Sequence, residues 1–177
     1  MNLKTRRLLL RPFQESDAAD LYEYAKDPRV GPIAGWPVHT SVENSREIIR
    51  TVFAAPNTFA VAERETGKVI GSAGFTGRSR AEFPAPNDEL GYALSPAFWG
   101  RGLMPEAAEE LLRYGFEEMG LAAVWCSHYV ENDQSRRVIE KCGFVRQFDE
   151  DVLDEPTGAP RPARFYLLTR ELWRSRQ

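Results

Sequence analysis

Two stretches of the chain carry residue types that could do chemistry. In Glu89-Leu-Gly-Tyr-Ala-Leu94 a strand-like alternation puts Glu89, Gly91 and Ala93 on one face. Leu90, Tyr92 and Leu94 take the other. A carboxylate sharing a face with two small residues borders an open surface, so Glu89 is a candidate general base. The next stretch is Leu94-Ser-Pro-Ala-Phe-Trp-Gly-Arg-Gly-Leu-Met-Pro-Glu106. Gly100 and Gly102 permit backbone angles that a Cβ would block. Pro105 suits a first helical turn and Glu106 its positive end. Strand, glycine turn and helix start together form a cradle for a phosphate, with free backbone N–H groups converging and Arg101 adding charge.

Familiar alternatives do not fit these residues. No Gly-Lys-Ser/Thr follows, so the stretch is not a P-loop. Leu103-Met104-Pro105 follow the Gly-x-Gly with no third glycine, so it is not a dinucleotide fingerprint either. Cys126 and His128 share a strand face, but neighbours two apart do not face each other. They read as a buried thiol and a satisfied histidine rather than a nucleophilic pair. The only other cysteine is Cys142, so neither a disulfide framework nor a metal site is expected.

The elements that must position these groups fit one domain over residues 1–177. Arg6–Pro12 reads as a first strand. Ser16 is a candidate cap for a helix bearing Leu21, Tyr22 and Ala25, which Asp27-Pro28 ends. Gly31–His39 reads as a loop in which Trp36 anchors on the core and His39 is solvated. Thr40 and Glu43 have capping-box spacing for a helix whose inner face is Ile48, Ile49, Val52 and Phe53. Thr58–Glu63 and Val69–Phe75 read as a hairpin around Glu65–Lys68. A helix over Met104–Met119 stops at Gly120, and Ala123–Tyr129 reads as a buried strand. Asn132 or Asp133 caps a short helix stopped by Gly143. Phe144–Val152 and Arg164–Thr169 read as the last strands, around a turn-rich loop at Asp154–Pro162.

The net charge of −3 lacks the basic footprint of a nucleic-acid binder and suits a cationic acceptor. No apolar run approaches a membrane span and the first residues lack a signal-peptide pattern, so a cytoplasmic protein with no membrane partner is expected.

Three motifs then bear a family resemblance. Trp99-Gly-Arg-Gly-Leu-Met104 resembles the acyl-CoA pyrophosphate loop of the GCN5-related N-acetyltransferases, Gln/Arg-x-x-Gly-x-Gly/Ala, with Gly102 as the middle glycine. Trp99 and Met104 depart from the pattern at its two ends. Glu89-Leu-Gly-Tyr92 is similar to the family's Glu-Ile-Gly-Tyr strand. Asn132, Ser135, Gly143 and Phe144 match its Asn-x-x-Ser-x₇-Gly-Phe segment. The likeness runs along nearly the whole chain and points to the branch that includes the ribosomal-protein N-terminal acetyltransferases.

The resemblance implies an α/β fold: a mixed, mostly antiparallel twisted sheet with helices on both faces. Acetyl-CoA would bind where the strand ending at Leu94 and the strand starting at Ala123 splay apart, with no metal. Ala93, Leu94, Trp99, Gly100, Arg101, Gly102, Leu103, Met104, Asn132 and Ser135 would hold it. Trp36 and His39 would line the acceptor pocket. The implied reaction is direct acetyl transfer to a primary amine, on a protein N-terminus or a small molecule, by a monomer or homodimer. Glu89 would take the amine's proton, with Asp151, Asp154 or His39 as alternatives. A backbone N–H near Ala93 or Leu94 would meet the oxyanion, and Ser135 the leaving thiolate. A non-catalytic acyl-CoA sensor is the alternative reading that the retained loop, Asn132 and Ser135 also fit.

Overall fold

The computed structural model describes Met1–Gln177. Eight strands form one sheet: β1 (Leu3–Lys4), β2 (Leu8–Arg11), β3 (Thr58–Glu63), β4 (Val69–Phe75), β5 (Asn87–Leu94), β6 (Ala123–Tyr129), β7 (Val145–Asp154) and β8 (Ala159–Thr169). Their order is β1-β2-β3-β4-β5-β6-β8-β7. Every neighbouring pair is antiparallel except β5 and β6. The helices are α1 (Ala18–Ala25), α2 (Gly31–Ala34), α3 (Val42–Thr51), α4 (Leu103–Arg113), α5 (Asp133–Lys141) and α6 (Arg170–Arg174). None is long and apolar enough to cross a membrane.

Alternation along β5 separates two cores. Leu90 and Leu94 join α4 and α5 in the larger one, with Leu111, Leu112, Phe116, Val138 and Ile139. Ala93 turns the other way, to Leu21, Tyr24 and Ile49 of α1 and α3. Helices therefore cover both faces, as expected. A third cluster, centred on Phe83, Trp125 and Phe165, continues the α1/α3 side across β6 and β8.

Several local expectations are corrected. Ser16 caps nothing: a 3₁₀ turn over Glu15–Asp17 precedes α1, and Asp17 accepts from the Gln14 amide at 2.8 Å. Asp17 wins because Arg11 pairs with it at 2.8 Å and holds it in place. Ser41, not Thr40, caps α3 by accepting from the Asn44 amide. Val52 is 55% exposed, because α3 ends one residue before it and turns it outward. The Gly31–His39 loop contains α2, closed by Gly35 at φ +95°. The Met104–Met119 helix becomes a π turn over Tyr114–Glu118. Gly115 lies there against Phe75, whose ring a Cβ would meet at 2.7 Å. Much of the Asp154–Pro162 loop is strand, since Pro160 and Pro162 pair with Leu153 and Asp151 across the β7–β8 hairpin. Proline tolerates this on a two-stranded rim where its missing N–H leaves no ladder bond broken.

Candidate active site

β5 and β6 are paired only at Asn87–Ala123, Asp88–Val124 and Glu89–Trp125, and then part. Beyond Glu89 their facing backbone groups have no strand to bond. The Glu89 carbonyl accepts from the Thr76 amide and the Ser95 amide donates to the Ile70 carbonyl, both on the β4 side. The intervening register is regular, so Gly91 and Ala93 also turn their backbone to β4. The N–H groups of Tyr92 and Leu94 therefore point into the opened gap. Ala93 contributes no amide there, and its side chain belongs to the α1/α3 core.

The loop beyond β5 is held by its own side chains. The Trp99 indole N–H donates to the Leu94 carbonyl at 2.9 Å, and its ring packs against both cores. Trp99 thereby locks the loop to the strand end. Gly100 and Gly102 have φ of +74° and +71°, the left-handed region. The amides of Gly100, Arg101, Gly102, Leu103 and Met104 donate to no protein acceptor, whereas the Leu103 and Met104 side chains are buried in the larger core. No atom lies within 4 Å of a Cβ built at Gly100, so the space above the turn is open. These free amides at the start of α4 fit an anion such as a pyrophosphate. Arg101 is exposed beside them, 3.8 Å from Glu63. Arg7 braces the turn from below, donating to the Arg101 carbonyl at 3.0 Å and pairing with Glu106 at 2.7 Å. Burial alone would raise the Glu106 carboxyl, but Thr5 and Arg7 hold it below its ordinary value.

Asn132 is the cap of α5: its side-chain oxygen accepts from the Ser135 amide at 3.1 Å. Its amide nitrogen donates to the Ile33 carbonyl at 3.3 Å, which ties α2 to the start of α5. Arg161 makes a second tie. It donates to the Pro32 carbonyl at 2.8 Å, lies over the Tyr129 ring at 3.7 Å and pairs with Glu131 at 2.7 Å. The Ser135 hydroxyl meets the Tyr92 hydroxyl at 2.8 Å. Sequence alternation put Tyr92 on the packed face, where its ring indeed lies, but gave no sign that its oxygen reaches α5.

Glu89 stands on the opposite face, with only 14% of its side chain exposed. Thr76 donates to it at 3.0 Å and Arg78 approaches to 3.6 Å. Burial pushes its carboxyl above the ordinary value, against the pull of both partners. A Cβ at neighbouring Gly91 would meet only Thr76, at 3.4 Å, so the floor between Glu89 and Ala93 is open. The alternatives to Glu89 are engaged elsewhere. Asp154 is 3% exposed and bonded by Thr157, Tyr129 and Arg161, and Asp151 lies on the outer strand. His39 is buried, not solvated. Its Nδ1 meets the Ser45 hydroxyl at 2.8 Å and burial lowers its pKa. Trp36 is half-buried, 5.4 Å from His39 and against the α1/α3 core.

His128 meets the Tyr129 carbonyl at 2.7 Å and the Tyr166 hydroxyl at 3.1 Å. Burial drives the Cys126 thiol well up and the Cys142 thiol to about 12, so neither is poised as a nucleophile. No group of three or more His, Cys, Asp or Glu could hold a metal ion. Glu89, Tyr92, Trp99, Asn132, Ser135, Trp36 and His39 all border one cleft of about 1610 Å³ that runs through the gap.

The family description "Acetyltransferase (GNAT) domain" matches residues 7–145. An uncharacterized N-acetyltransferase, p20, of Bacillus licheniformis is 30% identical over 150 residues, covering 82% of this chain and 83% of its own. A GNAT-family acetyltransferase structure from Bacillus anthracis superposes with a TM-score of 0.84 at 26% identity, covering 97% of this chain and 99% of that one. The ribosomal-protein-S5-alanine acetyltransferase of Vibrio fischeri shares the fold, with a TM-score of 0.75 at 19% identity and 98% of both chains covered. With its parted parallel strands and open glycine turn, the chain belongs to the GCN5-related N-acetyltransferase family, as an enzyme that transfers acetyl groups from acetyl-CoA.

Proposed function

We propose that the enzyme acetylates a primary amine by direct transfer within a ternary complex, on a peptide N-terminus or a small molecule. The reading is supported above all by one observation: Glu89 is a half-buried carboxyl beside the parted strands, held by Thr76 at 3.0 Å, where desolvation raises its pKa. An amine must be neutral to attack a thioester, and a carboxyl raised toward neutrality is a better proton acceptor for it. Ala93 lies four residue steps along from Glu89, roughly 13 Å on a strand, so a water carries the proton between amine and carboxylate.

The remaining roles follow from position. The Gly100–Met104 amides and Arg101 bind the pyrophosphate of acetyl-CoA, and Asn132 holds the start of α5 against its arm. The Leu94 N–H, in the gap, meets the oxyanion that forms as the amine nitrogen bonds the carbonyl carbon. The carbon–sulfur bond then breaks, and Ser135 stabilises the departing thiolate from the α5 face. Trp36 borders the acceptor side, and His39 supports it from beneath through Ser45. Holding both substrates in line could supply about 7–11 kcal/mol of the acceleration. The test is acetyl-CoA turnover across a panel of amines and short peptides, read by thiol release. Acetyl-CoA binding with no turnover on any amine would instead support the sensor reading.

A further inference from the structure

We infer that Tyr92 is a positioning residue whose hydroxyl, by donating to Ser135 Oγ, aims the hydrogen of Ser135 at the leaving sulfur and strengthens it as a donor. This rests on the role given to Ser135 above. Tyr92 has one hydroxyl hydrogen and two acceptors within reach. The Ser135 carbonyl lies at 3.1 Å and the Ser135 Oγ at 2.8 Å. The carbonyl can only accept, while the two hydroxyls can each donate to the other.

Two arrangements of hydrogens therefore fit the same heavy atoms. In the first, Tyr92 donates to the carbonyl and Ser135 donates to Tyr92, which ties up the serine's hydrogen. In the second, Tyr92 turns its hydrogen to Ser135 Oγ, and the serine's hydrogen is released to another acceptor. A forming thiolate is such an acceptor, and it favours the second arrangement by its charge. Donation from Tyr92 also makes the serine a stronger donor.

The backbone keeps the pair in register. Asn132 fixes the Ser135 amide at 3.1 Å, while Tyr92 leaves a strand in regular pairing with β4. Burial raises the Tyr92 phenol above its ordinary value, so it remains a donor through the working pH range. Bond by bond, the amine nitrogen joins the acetyl carbon, the carbon–sulfur bond breaks, and sulfur keeps the electron pair. The amine's proton goes to Glu89 through water. The sulfur, stabilised by the serine's hydrogen bond, takes its proton from solvent on release.

A double-mutant cycle tests this. Tyr92→Phe keeps the ring and removes one oxygen. It should lower kcat about tenfold, the worth of one hydrogen bond, with KM for the amine and acetyl-CoA affinity unchanged. Ser135→Ala should cost roughly 10²-fold. The double variant should be no slower than Ser135→Ala alone, since Tyr92 acts only through the serine. Thermal unfolding of each variant checks folding. A Tyr92→Phe enzyme at wild-type rate, or losses that add in the double variant, would overturn the inference while leaving the role of Ser135 intact. A Ser135→Ala enzyme at wild-type rate would instead remove the serine's role, and this inference with it.

Discussion

Glu89 and Tyr92 leave β5 on opposite faces of the sheet. One turns its carboxylate to Thr76 and Arg78, the other its hydroxyl to Ser135. In the proposed mechanism, proton acceptance from the amine and stabilisation of the sulfur thus fall on two sides of one gap. The reacting carbonyl would sit between them, at the Leu94 amide.

Glu89→Gln keeps shape and removes basicity. It should lower kcat by about 10²–10⁴-fold with acetyl-CoA affinity nearly unchanged, and abolish the acidic limb of the pH–rate profile. The sign of the stability effect is opposite. The folded pKa of Glu89 lies above its ordinary 4.5, so burial costs stability once pH rises through that raised value. Gln should therefore melt no lower than wild type at pH 7, and lose that advantage below pH 4.5. A wild-type kcat and profile would place the base elsewhere.

At Gly102 a side chain meets little, with Arg7 the nearest atom at 3.7 Å, but φ of +71° strains any β-branched residue. Gly102→Val should turn the cradle amides and severely weaken acetyl-CoA binding while the fold persists. Calorimetry giving wild-type affinity would remove the loop from the binding site.

Asn132→Asp separates two bonds of one side chain. The carboxylate still caps the Ser135 amide, so stability should stay within about 0.5 kcal/mol of wild type. The bond to the Ile33 carbonyl is lost, so α2 loosens and KM for the amine should rise more than KM for acetyl-CoA. Asn132→Ala should lose the cap too, at about 1 kcal/mol. Equal effects of both variants on stability would refute this division.

Direct transfer needs neither thiol. A Cys126→Ala, Cys142→Ala double variant should turn over at a near-normal rate, less stable by about 0.5–3 kcal/mol because both side chains are buried. Mass spectrometry detecting an acetylated enzyme during turnover would rule direct transfer out.

His39 carries a pH signature in stability rather than rate. Burial depresses its folded pKa below 6.5, so the unfolded chain binds the proton first. Its contribution is complete above pH 6.5 and declines as pH falls through the folded value. His39→Gln should flatten the melting temperature across that window, and an unchanged slope would show that other groups set it.

The strands Thr58–Glu63, Val69–Phe75 and Ala123–Tyr129 and the Asn132 cap were legible because each is written in neighbouring residues. The glycine turn was legible for the same reason. What escaped is long-range. Tyr92 and Ser135 are 43 residues apart, and no local pattern tells a tyrosine on a packed face where its oxygen ends. His39 looked solvated because Ser45 and the underside of Trp36 cover it only once α3 has docked. Pro160 and Pro162 suggested a loop, yet partner strand β7 overrode that local preference. The bond from Trp99 to Leu94 lay hidden behind a departure from the family pattern.

The sheet's two rims have a consequence for solution behaviour. β1 is only two residues long, and β7 is irregular between Arg146 and Phe148 and exposes Arg146, Asp149, Glu150 and Asp151. Short, kinked and charged rims resist strand addition by another chain. Crowded copies at high concentration are thereby discouraged from zipping sheet to sheet into fibrils.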